Sequence, residues 1–398
     1  MNINIKTYPA KNGDCFLISF GGVNDSKKHL IIDCGYVDTI KKYLKKDLIR
    51  IAEKGEVIEK LIITHIDKDH IQGAIRLLKD NNSEAFIEIK EIWHNTFRHL
   101  HHNEQTYIDN SQEKILNQIT QKGYAVRKGD MYGQQEISAI QGTTVGALIL
   151  QGDYNWNTDF DRNAVSIDYK KEISIDENTQ IILLSPNNEK LGKLKILWKN
   201  ELEKYGTKYE EIKSELYDDA FEMHMSWEKD MLKKKSPHIS STKESIEELL
   251  LKPFDDDTTI TNGSSISFIL EIQEKKLLFL ADAHPDIIVQ SLKEYDEKGL
   301  IKFDLIKVSH HGSFHNINKD LLDKIDSTKY IFSTNGDNHN HPHRETIAHI
   351  ISRPSKSCRE LYFNYITENS TYFDNEEWKN NWNYSINYLN QEPYTITL

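Results

Sequence analysis

Within six residues, His65, Asp67, Asp69 and His70 gather two imidazoles and two carboxylates in the stretch Thr64-His-Ile-Asp-Lys-Asp-His70. Carboxylates this close repel one another. A divalent cation removes that cost and uses all four side chains as ligands. A polar first turn of a helix, with Asp69 favoured by the dipole, is the simpler alternative. Motifs further along the chain count against it.

The flanking residues say what must position these groups. Residues 61–63 are a short apolar run of the kind that forms a buried parallel strand. Gly73 and the apolar Ala74, Ile75, Leu77 and Leu78 follow, so the order is strand, ligand-rich loop, helix. Upstream, residues 2–8 and 15–20 read as strands joined by the turn at 11–14, and residues 29–32 form a third strand ending in Asp33-Cys34-Gly35. Residues 39–52 have helical spacing. Downstream, residues 86–93 read as a strand that ends at His94-Asn95, close to His99, His101 and His102. The carboxyl ends of parallel strands border active sites. His94 and Asn95 are therefore candidates to touch the metal or the substrate, and the other three histidines read as a solvated turn. Residues 105–123 read as a helix, 145–150 as a short strand, and 152–163 as a polar, aromatic loop without an assigned role.

Residues 181–185 form a strand, after which the character changes. Residues 187–253 have dense alternating charge and helical spacing, which suggests a helical insertion carried on a β scaffold. Trp198, Leu202, Met223, Met225 and Trp227 would be its packing face, and the insertion is a candidate dock for a protein partner. Asp255-Asp256-Asp257 reads as a solvated acidic loop. The remainder alternates strands and helices and ends in a tail rich in Tyr, Asn and Trp, expected to pack across the back of the fold.

The chain has 398 residues, 38% hydrophobic and 28% charged, and mean hydropathy is -0.63, which suits a polar globular protein. A net charge of -12 argues against coating nucleic acid by bulk electrostatics. It leaves room for a nuclease, because a local basic strip or bound cations can hold a phosphodiester. Cys15, Cys34 and Cys358 are too few for a disulfide framework. No signal-peptide pattern or long apolar run is present, so a cytoplasmic protein without a membrane span is expected.

The cluster at 65–70 resembles the second motif of the metallo-β-lactamase superfamily, and its Asp67 form resembles the subgroup typified by the ComEC competence nuclease domain. Later segments match that subgroup in order: Asn262-Gly-Ser-Ser265, Leu277-Leu-Phe-Leu-Ala-Asp282, Ile306-Lys-Val-Ser-His310-His311-Gly312-Ser313 and His341-Pro342. The resemblance implies an α/β protein, an αββα sandwich with a helical insertion in its second half. It implies two divalent ions, zinc or manganese, the mixed carboxylate and imidazole set making manganese as suitable as zinc. His65 and Asp67 would hold one ion, Asp69 and His70 the other, with Asp282 bridging. His310 would complete the second ion's ligand set, His311 being the alternative. Asp33 would orient a ligand histidine; Asp14 is a candidate for a similar part, a turn-forming aspartate being the simpler reading. His341 would hold the phosphate or protonate the leaving oxygen, Ser313 would donate to phosphate, and Lys307 is a weaker contact. Asn262 stands where most relatives carry a histidine, and Ala281 where Gly usually precedes the bridging Asp. The implied reaction is phosphodiester hydrolysis by a metal-bridging hydroxide. Its substrate would be DNA or RNA, in a free-standing protein resembling phage-defence components. A phosphoesterase for small or cell-wall substrates and a metal-stabilised binding module are the alternatives.

Overall fold

The computed structural model describes residues 2–22, 26–100, 108–122, 143–208, 213–231, 244–297, 299–337, 339–389 and 392–398, with backbone alone at 227–231. Two sheets carry the architecture. The first contains β1 (Asn4–Thr7), β2 (Cys15–Phe20), β3 (Lys28–Cys34), β4 (Ile58–Ile62) and β5 (Ile92–Trp93), closed at its edge by β16 (Tyr394–Thr397), in the order β16-β1-β2-β3-β4-β5. The second contains β6 (Glu172–Asp176), β7 (Thr179–Ser185), β8 (Ser267–Ile272), β9 (Lys275–Phe279), β11 (Leu305–Lys307), β13 (Lys329–Phe332), β14 (Arg359–Phe363) and β15 (Tyr384–Tyr388), in the order β15-β14-β13-β11-β9-β8-β7-β6. A separate pair, β10 (Ile301–Phe303) and β12 (Ile325–Ser327), lies outside both sheets.

Each sheet begins as an antiparallel meander and continues with parallel strands: β3 with β4 and β5 in the first, β9 with β11 and β13 in the second. Alternation along the strands makes the sandwich. In β2, Phe16, Ile18 and Phe20 join Leu183, Phe268, Leu277, Phe279 and Ile306 in one buried cluster. The intervening Leu17 packs with Ile31, Leu61, Ile71, Ala74 and Leu78 in a second cluster, formed with the helix Lys68–Glu84. This is the αββα metallo-β-lactamase fold.

Several expectations need correction. Residues 145–150 are not a strand but lie in the helix Val145–Gln151, whose N-cap Thr144 accepts a bond from the Ala147 amide through its side chain. The strand expected over 86–93 is only Ile92–Trp93. Of the helix expected over 105–123, Asn110–Lys122 is observed; 105–107 and 123, like His101 and His102, lie outside the described residues. The 187–253 segment contains the helices Asn188–Lys204, Glu215–Met231 and Ile246–Leu250. Its Trp198, Leu202 and Met225 are buried with Phe97, Leu116 and Ile119 of the first half. The tail does not lie across the back: β15 extends the second sheet, and β16 pairs with β1 in the first.

Candidate metal centre

The 65–70 segment runs from just beyond β4 into the first turn of the helix Lys68–Glu84, which contains Asp69 and His70 and for which Asp67 is the N-cap residue. Close backbone contacts set its position. Gly73 has its amide 2.8 Å from the Gly35 carbonyl, and a Cβ there would lie 2.0 Å from the Cys34 oxygen. A Cβ on Gly13 would lie equally close, 2.0 Å, to the Asp69 carbonyl. Only glycine fits at either place. Asp69 also accepts a 2.7 Å bond from the Asn12 side chain, which no local signal in the sequence announces.

From the second half come Asp282, just beyond β9, and His310 and His311, just beyond β11. Three left-handed residues aim them: Ala281, His310 and His311 adopt φ of +45°, +42° and +56°, a region costly for residues with a Cβ. The His310 amide donates to the Ala281 carbonyl at 2.8 Å, which locks the two loops together.

The geometry converges on Asp282. Its Oδ2 lies 3.7 Å from His65 Nε2, 3.5 Å from His310 Nε2 and 3.8 Å from His311 Nε2, and its Oδ1 lies 3.9 Å from His70 Nε2. His65 Nε2 is 3.1 Å from Asp67 Oδ2. Two sets of donor atoms lie within 4.8 Å of one another at this point: His65, His70 and Asp282, and Asp69, His70 and His311. The resemblance implies His310, with His311 as the alternative, as partner of Asp69 and His70; in the fold it is His311 whose Nε2 lies 3.5 Å from Asp69 Oδ2. The residues fit a cation by a direct test. His70 Nε2, His311 Nε2 and Asp282 Oδ1 are buried and make no hydrogen bond, an expensive state for polar atoms unless an ion meets them.

The surrounding groups orient these ligands. Asp33 accepts from His70 Nδ1 at 2.7 Å and from the Thr64 amide and hydroxyl at 2.8 Å each, so His70 Nε2 is left facing Asp282. His311 Nδ1 is 2.9 Å from the Ser333 carbonyl and 3.5 Å from Asp14 Oδ1. Burial opposes charge on His70, but Asp33, Asp69 and Asp282 outweigh it and push its pKa up to about 10. At His311 burial is likewise outweighed, by Asp282, Asp14 and Asp69, and the pKa rises to about 9. Asp69 and Asp282 are held below the carboxylate range: burial would raise them, and the surrounding histidines prevail. Protons on His70 and His311 thus stand where cationic charge is required.

Other candidates have different surroundings. Lys307 does not reach toward a substrate; it is ion-paired with Asp14, both buried. His94 Nε2 is 3.4 Å from Glu222 Oε2, and its carbonyl accepts from Trp156 Nε1, so it supports the helical segment and not the metal cluster. Asn95 clamps Val165 through both its amide nitrogen and oxygen. His99 caps its own turn by accepting from the Thr96 amide. Ser313 Oγ accepts from the His315 amide. His341 is buried with its ring 5.1 Å from that of His310, and burial, then His343, His310 and His311, hold its pKa well below 6.5. Asn262 Nδ2 is 3.4 Å from His310 Nδ1. Asp257 is not a solvated acid: its Oδ2 lies 3.3 Å from His310 Nδ1.

A long-form RNase Z from yeast is similar over 84% of this chain and 36% of its own, at 11% identity and TM-score 0.33. A mutant of the CmlA β-hydroxylase is similar over 99% of this chain and 54% of its own, at 10% identity and TM-score 0.35. The chain thus spans about a third of the one and about half of the other. No curated protein matches it. Among the described residues no helix is long and apolar enough to cross a membrane. Residues 9–129 match the family model described as Metallo-beta-lactamase superfamily, and residues 65–70, Asp14 and Asp33 lie inside the matched segment.

Proposed function

We propose that the chain is a two-cation phosphodiesterase, of the ComEC-like kind, whose substrate is DNA or RNA. The observation that carries the reading is the convergence on Asp282, with imidazole nitrogens of four histidines 3.5–3.9 Å from its oxygens. His65 and Asp67 would hold one ion, Asp69, His70 and His311 the other, and Asp282 both. Zinc and manganese both suit this mixed donor set. Bound there, divalent cations supply Lewis acidity toward a phosphoryl oxygen and make water a nucleophile at neutral pH.

The chain's own groups do the rest. Asp33 fixes the tautomer and aim of His70. His341, kept neutral by its surroundings, is suited to donate a hydrogen bond to a phosphoryl or leaving oxygen, and less suited to deliver a proton as imidazolium. Ser313 keeps its hydroxyl hydrogen free for a second such bond while its oxygen caps the 314–316 turn. A role as a nuclease effector in phage defence rests on the sequence resemblance alone.

Cleavage of labelled single- and double-stranded DNA and of RNA, with manganese or zinc added, tests the reading. Asp69→Ala and Asp282→Ala should each lower cleavage by more than about 100-fold; undiminished cleavage in both refutes it. The net charge of -12 favours a second reading, a small phosphodiester. Hydrolysis of a chromogenic diester with none of any polynucleotide would select it.

A further inference from the structure

We propose that Asp257 is a positioning residue that fixes the tautomer of His310 and so presents a bare imidazole nitrogen to the cation beside Asp282. The inference rests on the two-cation reading and adds a ligand, and the carboxylate behind it, to that site.

The wiring around His310 supplies the argument. Its Nδ1 lies 2.8 Å from Asn316 Oδ1 and 3.3 Å from Asp257 Oδ2, both acceptors. The orientation of Asn316 is itself settled, because its Nδ2 donates to Asp257 Oδ2 at 3.1 Å and to the Asp282 carbonyl at 3.2 Å. An amide donating there must turn its oxygen to His310. Nδ1 therefore carries the hydrogen, and in the neutral ring Nε2 holds a lone pair. That lone pair is 3.5 Å from the carboxylate oxygen Oδ2 of Asp282. Two electron-rich atoms face each other at a separation that a cation between them would turn from repulsion into coordination.

Asp257 is well anchored for this task. Its carboxylate accepts from the Asn262 side chain and, at 2.9 Å, from the Thr259 amide. Its own amide donates to the His315 carbonyl at 3.0 Å, tying it to the segment that carries Asn316. The acidic run 255–257 thus divides: Asp255 and Asp256 are exposed, whereas the side chain of Asp257 is 7% exposed and turned inward. Both histidines of the His-His pair are then used, His311 beside Asp69 and His310 beside Asp282.

The test measures manganese and zinc binding by calorimetry, with bound metal counted by elemental analysis, in four chains: wild type, Asp257→Asn, His310→Ala and the double variant. Asp257→Asn is expected to weaken the cation site that includes His310 by about 10–100-fold. It should add no further loss, within about twofold, in the His310→Ala background, since a residue acting only through His310 has nothing left to act on. Asp257→Glu should recover part of the loss. Wild-type affinity in Asp257→Asn, or an equal loss with and without His310, overturns the proposal while leaving the two-cation reading in place. A wild-type chain that binds neither metal overturns both.

Discussion

The two halves of the molecule solve the same placement problem with different means. In the first, β3 carries an aspartate, Asp33, one residue before its end at a left-handed bend with φ +53°, and the neighbouring parallel strand β4 leads into His65. In the second, β9 leads to Asp282 through the left-handed Ala281, and the neighbouring parallel strand β11 leads into His310. Strand for strand the two arrangements correspond. Yet Asp33 turns inward and holds His70 and Thr64, while Asp282 faces the site with one oxygen lacking any hydrogen bond. The same position in the fold serves once as a support and, in the proposed reading, once as a ligand. What differs is the company it keeps.

Removing the two aspartates separately should break this correspondence most visibly. Asp282→Ala is expected to abolish binding of both cations, whereas Asp33→Asn should leave both sites present and weaken affinity by about 10–100-fold, as loss of a supporting hydrogen bond does. Metal counting after dialysis separates the two outcomes. Equal losses would erase the distinction.

The means of anchoring can be tested next. The first loop is held by glycines pressed against backbone, so Gly73→Ala, which places a methyl group 2.0 Å from the Cys34 oxygen, should destabilise by about 3 kcal/mol or more in urea unfolding. The second loop is held in a conformation that disfavours side chains. Ala281→Gly there should change stability by about 1 kcal/mol at most, on the favourable side, because relief of the left-handed cost is partly offset by greater freedom of the unfolded chain. A large loss in that variant would show that the methyl group packs usefully.

Between these in size stands the pH dependence of the metal-free chain. His70 and His311 are raised from 6.5 to about 10 and about 9. Groups with raised values bind more protons when folded, so their contribution is complete below about pH 6.5 and disappears as pH climbs through 9 and 10. Melting in the presence of a chelator should therefore occur at lower temperature at pH 9 than at pH 7. Cation affinity should move the opposite way over the same interval, because loading the site expels those protons. A melting temperature that rises between these pH values would contradict the charge assignment.

What the sequence made legible divides along the same line. The first ligand loop is contiguous, and its strand and helix announce themselves by apolar spacing, so its four candidates could be named from 6 residues. The second half contributes single residues from separate loops, and only order along the chain pointed to Asp282 and the His-His pair. Order could not decide between His310 and His311, because the choice depends on two left-handed residues in succession. Asp257 looked like a surface acid since nothing near it in sequence reveals that Asn316 and His310 lie beside it. Lys307 and Asp14 were both visible, but their pairing spans the two sheets. The helix Val145–Gln151 reads as a strand in sequence because six apolar or small residues fit either period, and only the cap at Thr144 marks it as a helix.

One pairing has a further consequence, for the order in which the protein can assemble. β1 bonds on one side to β2 and on the other to β16, with Asn4 opposite Thr397. A ribosome delivers Asn4 393 residues ahead of Thr397, so the earlier strand waits with one flank bare until the later one has emerged. Contacts of such long sequence separation slow folding, and an unpaired flank invites pairing with other chains. Aggregation during expression should therefore fall on the interval before residues 394–397 dock.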